Sequence, residues 1–392
     1  MDTINLFAVE IYGDGSFHPG EVIYGDVYLK ATDELTLREI RVEFYGEAKV
    51  NWTETAKSGR VRKRLGFLDY TNDEHYLNIA VTVYGKAPGQ SGPNPVLTAG
   101  EHSFPFEFRI PEENLPSTFV GKNGYVKYWL KAILDRPWKD DKAVAEAFTV
   151  LERVDVNQAE FLCPSQIQED RTMGCLCCVS GPLNVTVRTD RSAYCKGELM
   201  TVTVYANNQT SYRILGVELE LVQDTIYIAS GGKRTFTNEI LTNVTKAGKA
   251  SSTEGNDFFD MVPMLIPSTT PTMKSCRCIK ISYQVKFTLL LRGTVNFRVF
   301  IPITIGSIQG AKSSGKGSTP SPTVTFMGLP STSMDETDGF TLYPGEAPPT
   351  YAESVRGQTR RYDAVYFNKG TLDMPQFSSS VRERSKDETS KE

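Results

Sequence analysis

Three histidines, His18, His75 and His102, are scattered along the chain, and none sits in an HExxH run or beside a nucleophile elbow. No glycine-rich P-loop precedes a Lys-Ser/Thr pair either, so hydrolytic and phosphoryl-transfer chemistry have no recognisable residue set. The expectation is a protein that is not an enzyme. Thiolate ligands come from seven cysteines, Cys163, Cys175, Cys177, Cys178, Cys195, Cys276 and Cys278. An odd number in tight clusters makes a poor disulfide framework and suits a reducing compartment. Cys175-x-Cys177-Cys178 and Cys276-x-Cys278 could jointly offer thiolates to zinc, but a one-residue spacing departs from the usual two to four. Plain reduced thiols are expected, with acylation the other chemistry open to them, and no metal or cofactor is assigned.

Recognition chemistry is better represented. Pro348-Pro349-Thr350-Tyr351 is a PPxY sequence. Adjacent prolines bias a chain into polyproline II, so docking into an aromatic groove costs less ordering entropy, and Tyr351 falls at the spacing of a second pocket. Pro348, Pro349 and Tyr351 are therefore the candidate contacts to a WW domain. Only one copy is present, because Tyr362 to Tyr366 carries no proline, and the avidity of two linked sites is forgone. Arg60, Arg62, Lys63 and Arg64 form a basic run that could touch acidic cargo or anionic headgroups, although a solvated loop would look the same. Thr319-Pro320 and Ser321-Pro322 fit proline-directed phosphorylation as well as they fit a spacer.

The elements that must position these residues follow from size and pattern. A chain of 392 residues suffices for two domains of about 150 residues each. A formal net charge of -4, from 43 Lys+Arg and 47 Asp+Glu, exerts no overall pull on nucleic acid, and none is expected as a partner. Met1 to Glu10 lacks a basic segment leading into an apolar stretch, and nowhere do about 18 apolar residues run uninterrupted. A cytoplasmic protein is expected, and the Asn-x-Ser/Thr triplets at Asn51, Asn184, Asn208 and Asn243 are read as chance.

Sliding the sequence on itself reveals a repeat: Ser16 to Tyr45 aligns without a gap on Ala193 to Val222. Ile23, Gly25, Val27 and Leu29 match Met200, Val202, Val204 and Ala206, while Ile40, Val42 and Phe44 match Val217, Leu219 and Leu221. Alternate residues of a strand share a face, so both copies present half-buried strands. Val126, Tyr128, Leu130 and Ala132 match Ile281, Tyr283, Val285 and Phe287 at a shorter offset, each set following an Ile-Pro pair. The first copy thus holds an insertion of roughly 22 residues, placed in the polar stretch between Trp52 and Glu101. A short helix is possible at Lys139 to Ala147. Period-2 patterning with Gly, Pro, Asn and Asp between runs predicts an all-β chain of two antiparallel sandwiches.

Domain limits are set at 1–155 and 182–308, with Val156 to Gly181 as a linker and 309–392 as a tail that cannot bury enough apolar surface to order itself.

Particular blocks then carry a family resemblance. Tyr128 through Arg136-Pro137-Trp138, followed by Phe148 to Val150 and Val154 to Asn157, is similar to the end of an N-terminal arrestin domain. The cysteine cluster running into Ser180 to Leu183 and Tyr194 to Glu198 resembles the start of a C-terminal one, and Ile279 to Val285 with Ile301 to Gly306 its last strands. The resemblance, over residues 5 to 308, is to the arrestin-domain-containing proteins or α-arrestins. It implies two tandem arrestin-type immunoglobulin-like β-sandwiches plus a disordered C-terminal tail. It further implies an adaptor that links transmembrane cargo, such as receptors or transporters, to a WW-domain HECT-class ubiquitin ligase, with recruitment to plasma membrane and endosomes and peripheral membrane association. A retromer-type coat subunit is the alternative within the fold, and a secreted sandwich protein the alternative outside it. One branch of the family binds thioredoxin through a cysteine of the second domain; Lys249 to Asp260 here contains none, so that activity is not carried over.

Overall fold

The computed structural model describes residues 3–56, 66–86, 89–113, 115–175, 178–247 and 257–309. Every regular element among them is a strand. The first sandwich is built from β1 (Ile4–Ile11), β2 (Ser16–Phe17), β3 (Val22–Ala31), β4 (Leu35–Thr36), β5 (Glu39–Ala56), β6 (Gly66–Gly85), β7 (Val96–Leu97), β8 (Gly100–Arg109), β9 (Phe119–Gly121), β10 (Gly124–Asp135) and β11 (Lys142–Val150). One face is the sheet β1-β3-β8 and the other is β2-β11-β10-β5-β6, with β9 paired to β10 and a small β4-β7 ladder beside them. Ile23, Val27 and Leu29 on β3 and Phe104, Phe106 and Phe108 on β8 point inward to meet Val42 and Phe44 on β5. Phe44 stacks on Phe108 with ring centroids 3.9 Å apart and meets Phe106 edge-on at 5.9 Å. Burying one such phenyl ring contributes about 1.5–3 kcal/mol before packing is counted.

The second sandwich repeats the plan with β12 (Gln166–Cys175), β13 (Cys178–Thr189), β14 (Ala193–Cys195), β15 (Leu199–Asn208), β16 (Ile214–Ile228), β17 (Arg234–Ala247), β18 (Asp257–Leu265), β19 (Ile279–Leu291) and β20 (Phe297–Gly306). Its sheets are β12-β13-β15-β18 and β14-β20-β19-β16-β17. The repeat extends to hydrogen-bond register. Val42 pairs with Ala132 and Phe44 with Leu130 in one copy, and Leu219 with Phe287 and Leu221 with Val285 in the other. The short β2 and β14 both run parallel to the last strand of their sandwich. Even a hydroxyl is duplicated: Tyr128 donates to the Pro116 carbonyl and Tyr283 to that of Thr270, each on the segment that follows the Ile-Pro pair.

Two expectations are corrected. Val156 to Gly181 is not simply a linker, because β12 and the start of β13 lie within it, and the true crossover is the shorter segment from the end of β11 to Ser165. An edge strand wets both faces, so Gln166 to Thr172 shows little apolar alternation despite being paired. Lys139 to Ala147 is not helical: Lys142 to Phe148 pairs with Leu134 to Tyr128, the alanine-rich composition losing to tertiary pairing. Part of the insertion falls in longer strands: β5 and β6 have 18 and 20 residues against 15 and 14 in β16 and β17. The segment Arg136-Pro137-Trp138 forms the β10–β11 turn. There the buried Arg136 guanidinium donates to the Asp140 carbonyl, and Trp138 is 98% exposed at φ 65°.

Candidate functional site at the seam between the sandwiches

Of the residues singled out from sequence, Pro348, Pro349 and Tyr351 lie outside the described residues, as do Arg60, Arg62, Lys63 and Arg64. The described residues instead bring together polar groups along the seam where the sandwiches meet. The overlong β5–β6 hairpin makes that meeting. Lys233 pairs with Glu54 at 3.1 Å, the Ser230 amide donates to the Thr71 carbonyl at 2.9 Å, and Asn72 Nδ2 donates to the Ile228 carbonyl at 3.1 Å. Further along β6, Glu74 accepts from the Arg277 amide at 3.3 Å and its guanidinium at 3.4 Å.

The crossover is held at the same seam. Glu152 accepts from the Ser275 hydroxyl at 2.6 Å, and Val154 exchanges hydrogen bonds with Ser307, its amide donating to the hydroxyl and its carbonyl accepting from the amide, both at 3.0 Å. Asp155 forms a parallel bridge with Ile308, so the crossover extends past β20 as a further strand position rather than hanging free.

A bulge sets up the chemistry. The β5–β6 register slips between Gly46↔Leu77 and Glu47↔His75, leaving Tyr76 as the extra residue. Glu74 and Leu77 are consequently both buried although three residues apart. Glu74 Oε2 accepts from the Tyr76 hydroxyl at 2.7 Å, while Glu74 Oε1 is buried and accepts from no N–H or O–H donor. Burial opposes ionisation of this carboxyl, yet the hydrogen bonds from Tyr76, Arg277 and the Cys278 thiol outweigh it and hold its pKa below the ordinary value.

Against it lie Cys276 and Cys278, both fully buried, with sulfurs 3.6 Å apart. A carboxylate oxygen of Glu74 and the two sulfurs all fall within 4.8 Å of one another. The Cys276 sulfur also accepts from the Ile279 amide at 3.2 Å. Hydrogen bonding from Cys278, against the opposing effect of burial, makes Cys276 the more acidic of the pair, and burial with Cys276 beside it raises Tyr76. Sequence reasoning noted the two cysteines but paired them with the 175–178 cluster, whose side chains lie outside the described residues. Glu74 was missed. Its one signal was an acidic residue beside Tyr76 and Leu77 in a strand otherwise polar on the other face, and a bulge hides that from period-2 reading.

Cys195 is buried and packs with Val156 and Ala193, and burial pushes its thiol up to about 11. Cys163 is exposed.

Two sandwiches of one topology, joined in tandem through a docked crossover, define an arrestin-type body. Residues 9–157 match the family model for the Arrestin (or S-antigen) N-terminal domain and residues 179–310 that for its C-terminal domain. The chain belongs to the arrestin family, on its α-arrestin branch. It is 29% identical to Arrestin domain-containing protein 4 of Mus musculus over 345 residues, 87% of this chain and 79% of the mouse protein. Likeness to the Homo sapiens protein of that name is 28%, over 87% of this chain and 78% of the relative. Thioredoxin-interacting protein of Mus musculus is 24% identical over 88% of this chain and 81% of its own length.

Proposed function

We propose that this chain is an adaptor that couples transmembrane cargo to a WW-domain HECT-class ubiquitin ligase and so promotes cargo ubiquitination, endocytosis and endosomal sorting. The observation that carries the reading is Pro348-Pro349-Thr350-Tyr351, placed about 40 residues beyond the last strand of an arrestin body. The proline pair limits the entropy lost on docking, and Tyr351 supplies the aromatic anchor. The twin sandwich offers the rigid platform for cargo. The protein performs no catalysis of its own in this scheme, works in the cytoplasm, and meets plasma membrane and endosomes peripherally.

The relative named for its interaction with thioredoxin does not extend that interaction here, since Lys249 to Asp260 holds no cysteine. A pull-down on immobilised WW domains tests the ligase link: the wild-type chain is retained and Tyr351→Ala is not. Equal retention of both removes the ligase from the scheme.

A further inference from the structure

We propose that Glu74, Cys276 and Cys278 form a metal site of the zinc class that clamps the two sandwiches together. The donor set is a pair of thiolates with one carboxylate, which suits a borderline-soft divalent cation and not calcium or magnesium. With metal–sulfur bonds of about 2.3 Å, two sulfurs on a tetrahedron stand about 3.8 Å apart. Cys276 and Cys278 already stand at 3.6 Å, so their sulfurs need hardly move to share an ion. The one-residue spacing that looked wrong in sequence is therefore no obstacle in space, because the segment between Met273 and Ile279 turns both side chains into the seam.

The carboxylate supplies an independent indication. Glu74 Oε1 is buried without an N–H or O–H donor, although Oε2 of the same group is occupied by Tyr76 and Arg277; the Cys278 thiol is the weak donor beside the carboxylate. An orphaned buried carboxylate oxygen is costly, and a cation beside it meets that deficit. Its nearest protein cation does so poorly, since Arg277 is 85% exposed, lies at 3.4 Å and reaches only Oε2. The remaining contacts resemble the supports of a metal centre. The Ile279 amide donates to the Cys276 sulfur, and the Tyr76 hydroxyl orients Glu74 through its other oxygen. On binding, each thiol gives its proton to solvent, two sulfur–metal bonds and one oxygen–metal bond form, and the fourth position of the tetrahedron is left for water.

Because Glu74 comes from β6 of the first sandwich and the cysteines from the segment leading into β19 of the second, the ion would tie the domains to each other rather than brace either alone. Binding would then appear as interdomain stability.

The test uses the full-length chain purified without chelator or metal-affinity resin. Elemental mass spectrometry should find about one zinc per chain. Cobalt added to chelator-stripped protein should give a thiolate charge-transfer band and the visible bands of a tetrahedral site. Cys276→Ser with Cys278→Ser should abolish both signals. Glu74→Gln, which keeps the thiols, should weaken cobalt binding about tenfold or more. Cys175→Ser with Cys177→Ser and Cys178→Ser should leave all of it intact. Absence of zinc together with absence of a charge-transfer band at saturating cobalt overturns the proposal, as does a band that follows the 175–178 triplet. A loss of two mass units by wild type under reducing-agent-free purification, with no metal bound and peptide mapping placing the bond between Cys276 and Cys278, would mean a disulfide instead, and also overturns it.

Discussion

Gly46 faces Tyr128 across the β5–β10 ladder, and a Cβ at that position would come within 2.6 Å of the tyrosine ring. Gly46→Ala therefore overpacks the first sandwich, by about 1–3 kcal/mol. Tyr128→Phe removes the hydroxyl that the Pro116 carbonyl accepts from, and leaves that carbonyl unpaired in a buried position, a loss of about 1–2 kcal/mol. Urea titrations check both. All three tryptophans, Trp52, Trp129 and Trp138, lie in the first sandwich, so intrinsic fluorescence reads that domain separately from the second. The fluorescence midpoint should fall for each variant; an unchanged midpoint would show that these contacts are not what packs the inner face.

Among the elements, the β5–β6 hairpin matters most, because its extra length is what reaches the second sandwich. Its hold should depend on pH in a definite direction. The folded pKa of Glu74 lies below the ordinary carboxylate value, so its contribution is complete above the unfolded value and is lost as pH falls through the lowered folded one. Glu54, held below its ordinary value by Lys233, acts in the same sense. Hydrogen exchange should therefore show the Ile228 to Ser230 and Ser275 to Cys278 amides losing protection as pH drops from about 5 towards about 3, with a smaller change in Glu74→Gln. Protection that is flat across this range would mean the carboxylate does not hold the seam.

Much of this arrangement was legible beforehand, and what was not had physical causes. Core strands keep strict alternation because one face is dry, so Ile23 to Leu29 and Met200 to Ala206 identified their own register and each other. The edge strand β12 lacks a dry face and therefore read as a linker. Ala143, Ala145 and Ala147 favour a helix on propensity alone and were overruled by pairing with β10. Glu74 reaches Cys276 across a long chain separation and around a bulge, which no local pattern records. The proline pair and Tyr351, by contrast, depend only on local sequence and needed no fold to be found.

At the scale of the whole molecule, the account divides labour between a paired-sandwich body and a C-terminal recognition peptide. The basic run of Arg60, Arg62, Lys63 and Arg64 falls between β5 and β6 in the chain, and as a peripheral contact each cation would add about 1 kcal/mol at an anionic surface. Replacing all four by alanine should lower co-sedimentation with phosphatidylserine vesicles tenfold or more, and raising the salt should do the same to wild type. Vesicle binding that is indifferent to both changes would leave the run as a solvated loop.

The most direct trial of the central claim is a calorimetric titration of the full-length chain with a single WW domain, set beside the chain ended at Gln309. The adaptor reading predicts saturable one-to-one binding by the full chain, at least tenfold weaker in Tyr351→Ala, and none by the shortened body. Equal heats from the full and the shortened chain would contradict it.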